Sequence, residues 1–379
     1  MDKHTNMTRI ALAFDSFKGS LCSTEVAAAF ALGLRDVVPD CEVRHISLAD
    51  GGEGTVEALA EALNAEYIAV RVCDPLGRIV GARYAISGDM AIVEMASASG
   101  LTLLAENERN PLITTTYGTG ELVRDALARG CKRVVLGLGG SATNDGGSGM
   151  LRAMGYRFYD AENRELTTTI DILEHIDHIS TEERSNLLNG IRLTAAVDVD
   201  NPLYGESGAA HVFARQKGAD SAMIERLDTA LRHYAEVVNR YGAMAAGAGA
   251  AGGLGGGFKA LLGAKLERGV DMVLRAIRFD DIVRGSDLVI TGEGRIDRQT
   301  VMGKAPSGVL RVAQSHNIPV IAIGGAVEMC EELEQSAFVA ILPVVAGPIA
   351  LERAMQRDVA ATNVERTACQ IARIITRKI

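Results

Sequence analysis

Tryptophan is missing from the 379-residue sequence and aromatic residues make up only 4% of it, so a core has to be assembled from Ala, Val, Leu, Ile and Gly. Positive charge is in deficit: 39 Lys and Arg stand against 48 Asp and Glu, a formal net charge of −9. Nucleic acid and anionic membranes are recognised through clustered Lys and Arg, so no nucleic-acid and no membrane partner is expected, and any bound phosphate has to meet local basic residues. Six cysteines stand at positions 22, 41, 73, 131, 330 and 369, without a Cys-x-x-Cys pair or metal-ligand spacing, and are expected to be reduced and mostly buried. A membrane-length apolar run is lacking. Residues 1–9 are polar and the next apolar run is interrupted by Asp15 and Lys18, so neither a signal peptide nor a span is expected and a cytoplasmic location follows. The G-x-x-x-x-G-K-[ST] loop of ordinary P-loop enzymes is also absent,.

What is present is globular: 47% hydrophobic and 23% charged residues, in a chain long enough for about two domains with a cleft. Residues 9–14 read as a buried strand running into Asp15-Ser16-Phe17-Lys18-Gly19-Ser20. Val26, Phe30, Leu34 and Val37 then recur at helical spacing, with Ser23 as N-cap and Pro39 just beyond. Strand 42–48, the loop Asp50-Gly51-Gly52-Glu53-Gly54 and helix 55–63 repeat the unit. Short β-like runs follow at 68–72, 79–86 and 91–95, then strand 133–138, a glycine loop, and strand 192–197. Ile224, Leu227, Leu231, Tyr234, Val238 and Tyr241 hold helical spacing. Residues 242–257 are nearly all Gly and Ala, either a flexible linker or a loop of close approach. Strands at 288–291, 320–323 and 339–342 and a closing helix through Val364, Ala368, Ile371 and Ile375 complete the chain. The expected fold is α/β with two α/β domains: a Rossmann-like, parallel-sheet domain from residues 1–75 and 285–379, discontinuous in sequence, and an inserted domain of residues 76–284, with the cleft between them.

Ligands of parallel α/β sheets bind beyond the carboxyl ends of the strands, which selects the loops. In Gly137-Leu-Gly-Gly-Ser-Ala-Thr-Asn-Asp-Gly-Gly147 the glycines let N–H groups approach an anion and the following helix adds its dipole, so phosphate is the natural guest. Asn144 and Asp145 are suited to orient a substrate or a metal-bound water. Phosphoryl transfer further needs cations, acids for Mg²⁺ and a proton acceptor. Lys18, Lys217, Lys259, Arg295 and Lys304 lie beside glycines and supply the first. The pairs Asp50 with Glu53, Asp198 with Asp200, and Glu293 with Asp297 imply Mg²⁺, because converging carboxylates need an offsetting cation. Two other readings stand beside the kinase. Residues 137–142 fit a dinucleotide fingerprint, with Asp160 about twenty positions on, which would make an NAD-dependent dehydrogenase of a small hydroxy acid. A non-catalytic sugar-acid sensor needs the same cleft but fewer charged loops.

At these loops the sequence resembles the bacterial glycerate kinases that phosphorylate the 2-hydroxyl. The matching segments are Phe14-Asp-Ser-Phe-Lys-Gly-Ser20, Ala49-Asp-Gly-Gly-Glu-Gly-Thr55, Thr114-Thr-Thr-Tyr-Gly-Thr-Gly120, the 137–147 loop, Asp198-Val-Asp-Asn-Pro202, Gln216-Lys-Gly218 and Thr291-Gly-Glu-Gly-Arg-Ile-Asp297. The resemblance implies ATP and Mg²⁺ as cofactors, D-glycerate as acceptor and 2-phosphoglycerate as product. The family motifs do not say which acid is the base; Asp198 is the candidate because it ends an apolar strand that would fix its geometry, with Lys18 and Asp297 also catalytic. Asp15, Ser16, Asp50, Glu53, Asn144, Asp145 and Lys217 bind substrate, Gly137, Gly139, Gly140, Ser141 and Lys304 bind the nucleotide, and Asp200 and Glu293 hold the metal. A homo-oligomer is compatible with the chain. The polar insert 167–189 carries no assigned role.

Overall fold

A computed structural model describes residues 9–48, 55–197, 199–240 and 246–376. Their described parts form two compact units, one from Met1–Asp50 with Val270–Ile379 and one from Gly51–Gly269. The turn at residues 74–78, where a domain boundary is expected, instead joins an antiparallel hairpin: Glu66–Cys73 pairs with Ile79–Ser87 along its whole length. Both strands therefore belong to one sheet.

The first unit is built on a five-stranded parallel sheet ordered Ala340–Pro343, Val320–Val327, Leu288–Ile296, Arg9–Phe14, Glu42–Ser47. Numbered along the chain this is the 2-1-3-4-5 order of doubly wound sheets, whose switch point lies between Arg9–Phe14 and Leu288–Ile296. Ile10 to Phe14 are all buried, as a continuous apolar strand in a sheet covered on both faces has to be. The helix Ser23–Val37 covers one face through Val26, Phe30 and Leu34, and Phe30 meets Phe14 at 5.5 Å between ring centroids. Each such burial contributes about 1.5–3 kcal/mol. Cys22, not Ser23, is the N-cap: its N–H donates to the Glu25 carboxylate at 2.8 Å. Ser23 is drawn into the first turn because its hydroxyl donates to the Phe14 carbonyl at 2.9 Å, which ties helix to strand end.

The second unit carries a six-stranded mixed sheet ordered Lys265–Arg268, Arg192–Val197, Arg133–Gly137, Met90–Glu94, Ile79–Ser87, Glu66–Cys73. The first four run parallel and the last two are antiparallel. A small antiparallel sheet of Arg157–Tyr159, Glu165–Leu166 and His178–Ser180 takes up part of the polar insert. The 18-residue helix Ser221–Val238 is capped by Asp220, which accepts from Met223 N–H at 2.8 Å, and buries Ile224, Leu227, Leu231, Tyr234 and Val238. From residue 246 on, the Gly/Ala stretch is a tight turn that runs into the helix Leu254–Leu262, and both approach neighbouring backbone closely. A Cβ on Gly252 would stand 2.0 Å from the Thr143 carbonyl oxygen, and one on Gly257 2.3 Å from that of Gly146. No helix among the described residues is long and apolar enough to cross a membrane.

Candidate active site

The first unit holds a cavity of about 270 Å³ at its switch point, where the loops after Arg9–Phe14 and Leu288–Ile296 meet. Its polar end is formed by Asp15, Ser16, Lys18, Glu293, Arg295 and Lys304. Asp15 is 4% exposed, and its Oδ1 accepts from Ser16 N–H at 2.7 Å while its own N–H donates to Gly292 O at 3.0 Å. Glu293 is also buried. Its Oε1 accepts from Thr300 Oγ1 at 2.6 Å and its Oε2 lies 3.3 Å from Lys304 Nζ. Asp297 caps the turn Arg298–Val301, accepting from Gln299 N–H at 2.9 Å, and stands 4.0 Å from Lys304 Nζ and 3.5 Å from Arg295 Nε. Lys304 is in turn the N-cap of helix Ala305–Ser315. Two carboxylates thus fix one ammonium group at a helix start beside the cavity.

The glycine loop of the second unit is organised differently. Asp145 is fully buried; its carboxylate accepts from the N–H and hydroxyl of Thr116 (2.7 and 2.8 Å) and from the N–H groups of Gly147 (3.0 Å) and Gly149 (3.2 Å). Met150 N–H donates to Thr116 Oγ1 at 2.9 Å. The start of helix Ser148–Ala153 therefore receives an internal carboxylate where a phosphate was expected. Burial pushes the Asp145 carboxyl up, and the bonds from Thr116, Gly147 and Gly149 oppose it,. Lys217 is 2% exposed, and its ammonium donates to Ser141 Oγ (2.8 Å), Thr143 O (2.7 Å) and Asn144 Oδ1 (3.4 Å). Burial pulls it down to about 7 against the opposing charge of Asp145. Tyr234, raised by burial, donates to Gly146 O at 3.2 Å.

These placements revise several expectations. Asp145 and Lys217 are both engaged within the protein: the carboxylate of Asp145 accepts from the first turn of a helix, and the ammonium of Lys217, which also borders a cavity beside Ser141, donates to the loop. Gly137 is the last residue of strand Arg133–Gly137, and its carbonyl accepts from Met95 N–H at 3.1 Å. The loop N–H groups of Ala142 and Gly146 donate to Ser99 O and Gly252 O, which ties the loop to its neighbours. Gly139, Gly140 and Ser141 line a separate cavity of about 300 Å³ with Gln216 and Phe213. Asn144 is buried with its Nδ2 unpartnered among the described residues. Asp160 does not fit a ribose partner, since its carboxylate is taken by Glu162 N–H (3.0 Å), Arg164 N–H (2.8 Å) and Arg164 Nε (2.8 Å). Glu293 is engaged on both oxygens, by Thr300 and by Lys304. Asp200 is exposed, 3.5 Å from Arg268. Among the described residues no group of three or more His, Cys, Asp and Glu is placed to hold a metal. Asp50, Glu53 and Asp198 lie outside the described residues.

Sequence reasoning missed Thr300, which fixes Glu293, and the cavity walls supplied by Gly325, Met355 and Asn363. The Gly324-Gly325 pair after an apolar strand was a readable signal for the first wall. Met355 and Asn363 sit in helical texture and gave none.

A family model described as "Glycerate kinase family" matches residues 10–376. The chain is 45% identical over 373 residues to a glycerate kinase of Bacillus subtilis strain 168, covering 96% of this chain and 97% of that protein. It is 44% identical over 324 residues to a glycerate 2-kinase of Escherichia coli K12, covering 84% and 85%. A crystal structure described as "putative glycerate kinase 2 from Salmonella typhimurium LT2" superposes with a TM-score of 0.83 at 43% identity, over 98% of this chain and 99% of that one.

Proposed function

The chain belongs to the glycerate kinase family, and from that premise we propose that it transfers the γ-phosphoryl group of ATP to the 2-hydroxyl of D-glycerate, giving 2-phosphoglycerate. The observation that carries the reading is the pair of cations, Lys18 and Lys304, at the switch-point cavity of a doubly wound sheet in a chain that aligns with these kinases over nearly its whole length. Phosphoryl transfer asks the protein mainly for positioning and for positive charge on the equatorial oxygens. Lys304, steadied by Glu293 and Asp297, and Lys18 of the Asp15-to-Ser20 turn supply that charge, and Ser16 offers a hydroxyl to the phosphate. Asp198, which follows the strand Arg192–Val197, is assigned the proton of the acceptor hydroxyl. Asp50 and Glu53 are assigned to accept hydrogen bonds from glycerate.

Mg²⁺ bound with a nucleotide keeps several waters and takes one or two carboxylates beside phosphate oxygens. Asp200, whose carboxylate is open to solvent, fits that requirement and is assigned to it. The metal would supply neutralisation of phosphate charge. The six unpaired cysteines suit a reducing compartment and support a cytoplasmic assignment.

The test is to mix protein, ATP, Mg²⁺ and D-glycerate, follow ADP, and resolve the product by NMR. ADP release that needs glycerate, with phosphate on the 2-oxygen, supports the reading. Phosphate on the 3-oxygen corrects the position, and no ADP overturns the activity.

A further inference from the structure

Besides Lys18 and Lys304, the first unit's cavity is lined by an apolar set, Val344, Val345, Leu351, Ala354 and Met355. Leu351 is 67% exposed and Met355 37%. They stand four positions apart and bound the same cavity, so the fold leaves a small apolar face open beside a cluster of charges. Such a face is unsuited to glycerate, every carbon of which bears oxygen. It suits a flat heteroaromatic base, whose faces are apolar and whose edge is polar.

A third feature lies at the same place. Asn363, on the long helix Arg357–Thr376, is 8% exposed and lines the cavity. Its backbone carbonyl accepts from Thr367, whereas its carboxamide makes no hydrogen bond among the described residues. A carboxamide can both donate to and accept from the edge of adenine. Met355 also packs its methyl against the loop that carries Lys18: a Cβ on Gly19 would stand 2.6 Å from Met355 Cε. Apolar wall, amide and cations therefore border one space.

We propose that this cavity takes the adenosine portion of the nucleotide, with the base against Leu351 and Met355, its edge on the Asn363 carboxamide, and the phosphates directed to Lys18 and Lys304. The proposal rests on the kinase reading and assigns the nucleoside to residues of the first unit rather than to the glycine loop of residues 137–147.

Two measurements test it. Photolysis with 8-azido-ATP, followed by peptide mapping, is expected to label a peptide within residues 344–363, with protection by excess ATP. Labelling of peptides from residues 137–147 or 213–217 instead, or labelling that ATP does not prevent, overturns the proposal. In steady-state assays Leu351→Ser and Met355→Ser are expected to raise KM for ATP tenfold or more and to leave KM for glycerate within twofold. Asn363→Ala is expected to narrow the preference for ATP over GTP, with thermal unfolding confirming that each variant is folded. A rise in KM for glycerate alone overturns the proposal. Protected labelling of 344–363 in a protein that releases no ADP with glycerate would sustain the nucleoside site while removing the kinase reading.

Discussion

Thr300 donates its hydroxyl to Glu293 Oε1 at 2.6 Å, and the other oxygen of that carboxylate lies 3.3 Å from Lys304 Nζ. Three residues within twelve positions thus form a relay whose last member is a cation beside the cavity. Thr300→Val removes the donor and keeps the shape, so one of the bonds that orient Glu293, and through it Lys304, is lost. A hydrogen bond to a charged group contributes about 1.5–3 kcal/mol, so kcat/KM is expected to fall by about 10–100-fold, with thermal stability little changed and Thr300→Ser retaining most activity. Equal kinetics for Thr300→Val and the parent would remove the relay from the mechanism.

Asp198→Asn tests the proposed proton acceptor. Removal of a general base typically costs about 10²–10⁴-fold in kcat, and that loss is expected with KM for both substrates nearly preserved. Turnover within a few-fold of the parent would transfer the role to another acid.

Lys217→Met leaves the Ser141 hydroxyl, the Thr143 carbonyl and Asn144 Oδ1 without their donor and Asp145 without its neighbouring positive charge. Breaking a buried charged arrangement from one side costs about 3–5 kcal/mol, and urea unfolding is expected to show a loss of that size. A loss below about 1 kcal/mol, the worth of an exposed pair, would contradict the buried network.

The same lysine gives a pH signature. Burial holds it at about 7 in the folded chain, whereas an unfolded lysine titrates near 10.4. Between these values the unfolded state binds a proton that the folded state does not, so stability rises with pH; below about 7 both states are protonated and the slope vanishes. The stability difference between the parent and Lys217→Met is therefore expected to widen from about pH 7.5 to about 9.5. A constant difference would mean that the ammonium stays charged inside.

Gly252 has φ of 66° and no room for a methyl group toward Thr143. Gly252→Ala is expected to lower stability by about 1–3 kcal/mol and to loosen the loop that Lys217 holds. Differential scanning calorimetry reads the first effect, and faster amide exchange at Gly146 the second.

The legible parts of the fold are those whose cause is local. The strand Arg9–Phe14 appears with the expected bounds because five apolar residues run unbroken up to a charged turn. Ser23 was misread as a cap because its competitor, the Phe14 carbonyl, lies nine positions back across a loop. Asp145 shows the deeper limit. An acid beside glycines looks alike in sequence whether it faces a ligand or closes its own helix, and the group that decides, Thr116, is 29 positions away. The Gly/Ala stretch from residue 246 stayed ambiguous because composition does not record which backbone it touches. The Asn363 carboxamide borders the cavity without a hydrogen-bond partner among the described residues, and nothing in the helical texture around it signals that.

In the first unit's sheet, Thr291 bonds across to Ala13 over 278 positions of chain. During synthesis the N-terminal strand pair must therefore wait for more than two hundred residues before its central neighbour exists, while the second unit is already complete. Late, long-range closure of this kind is slow and leaves a strand edge open to wrong partners. Pulsed hydrogen exchange during refolding is accordingly expected to protect Leu193 and Ala195 early and Leu12 and Ile290 last, so that assembly of the cavity is the final event in the protein's maturation.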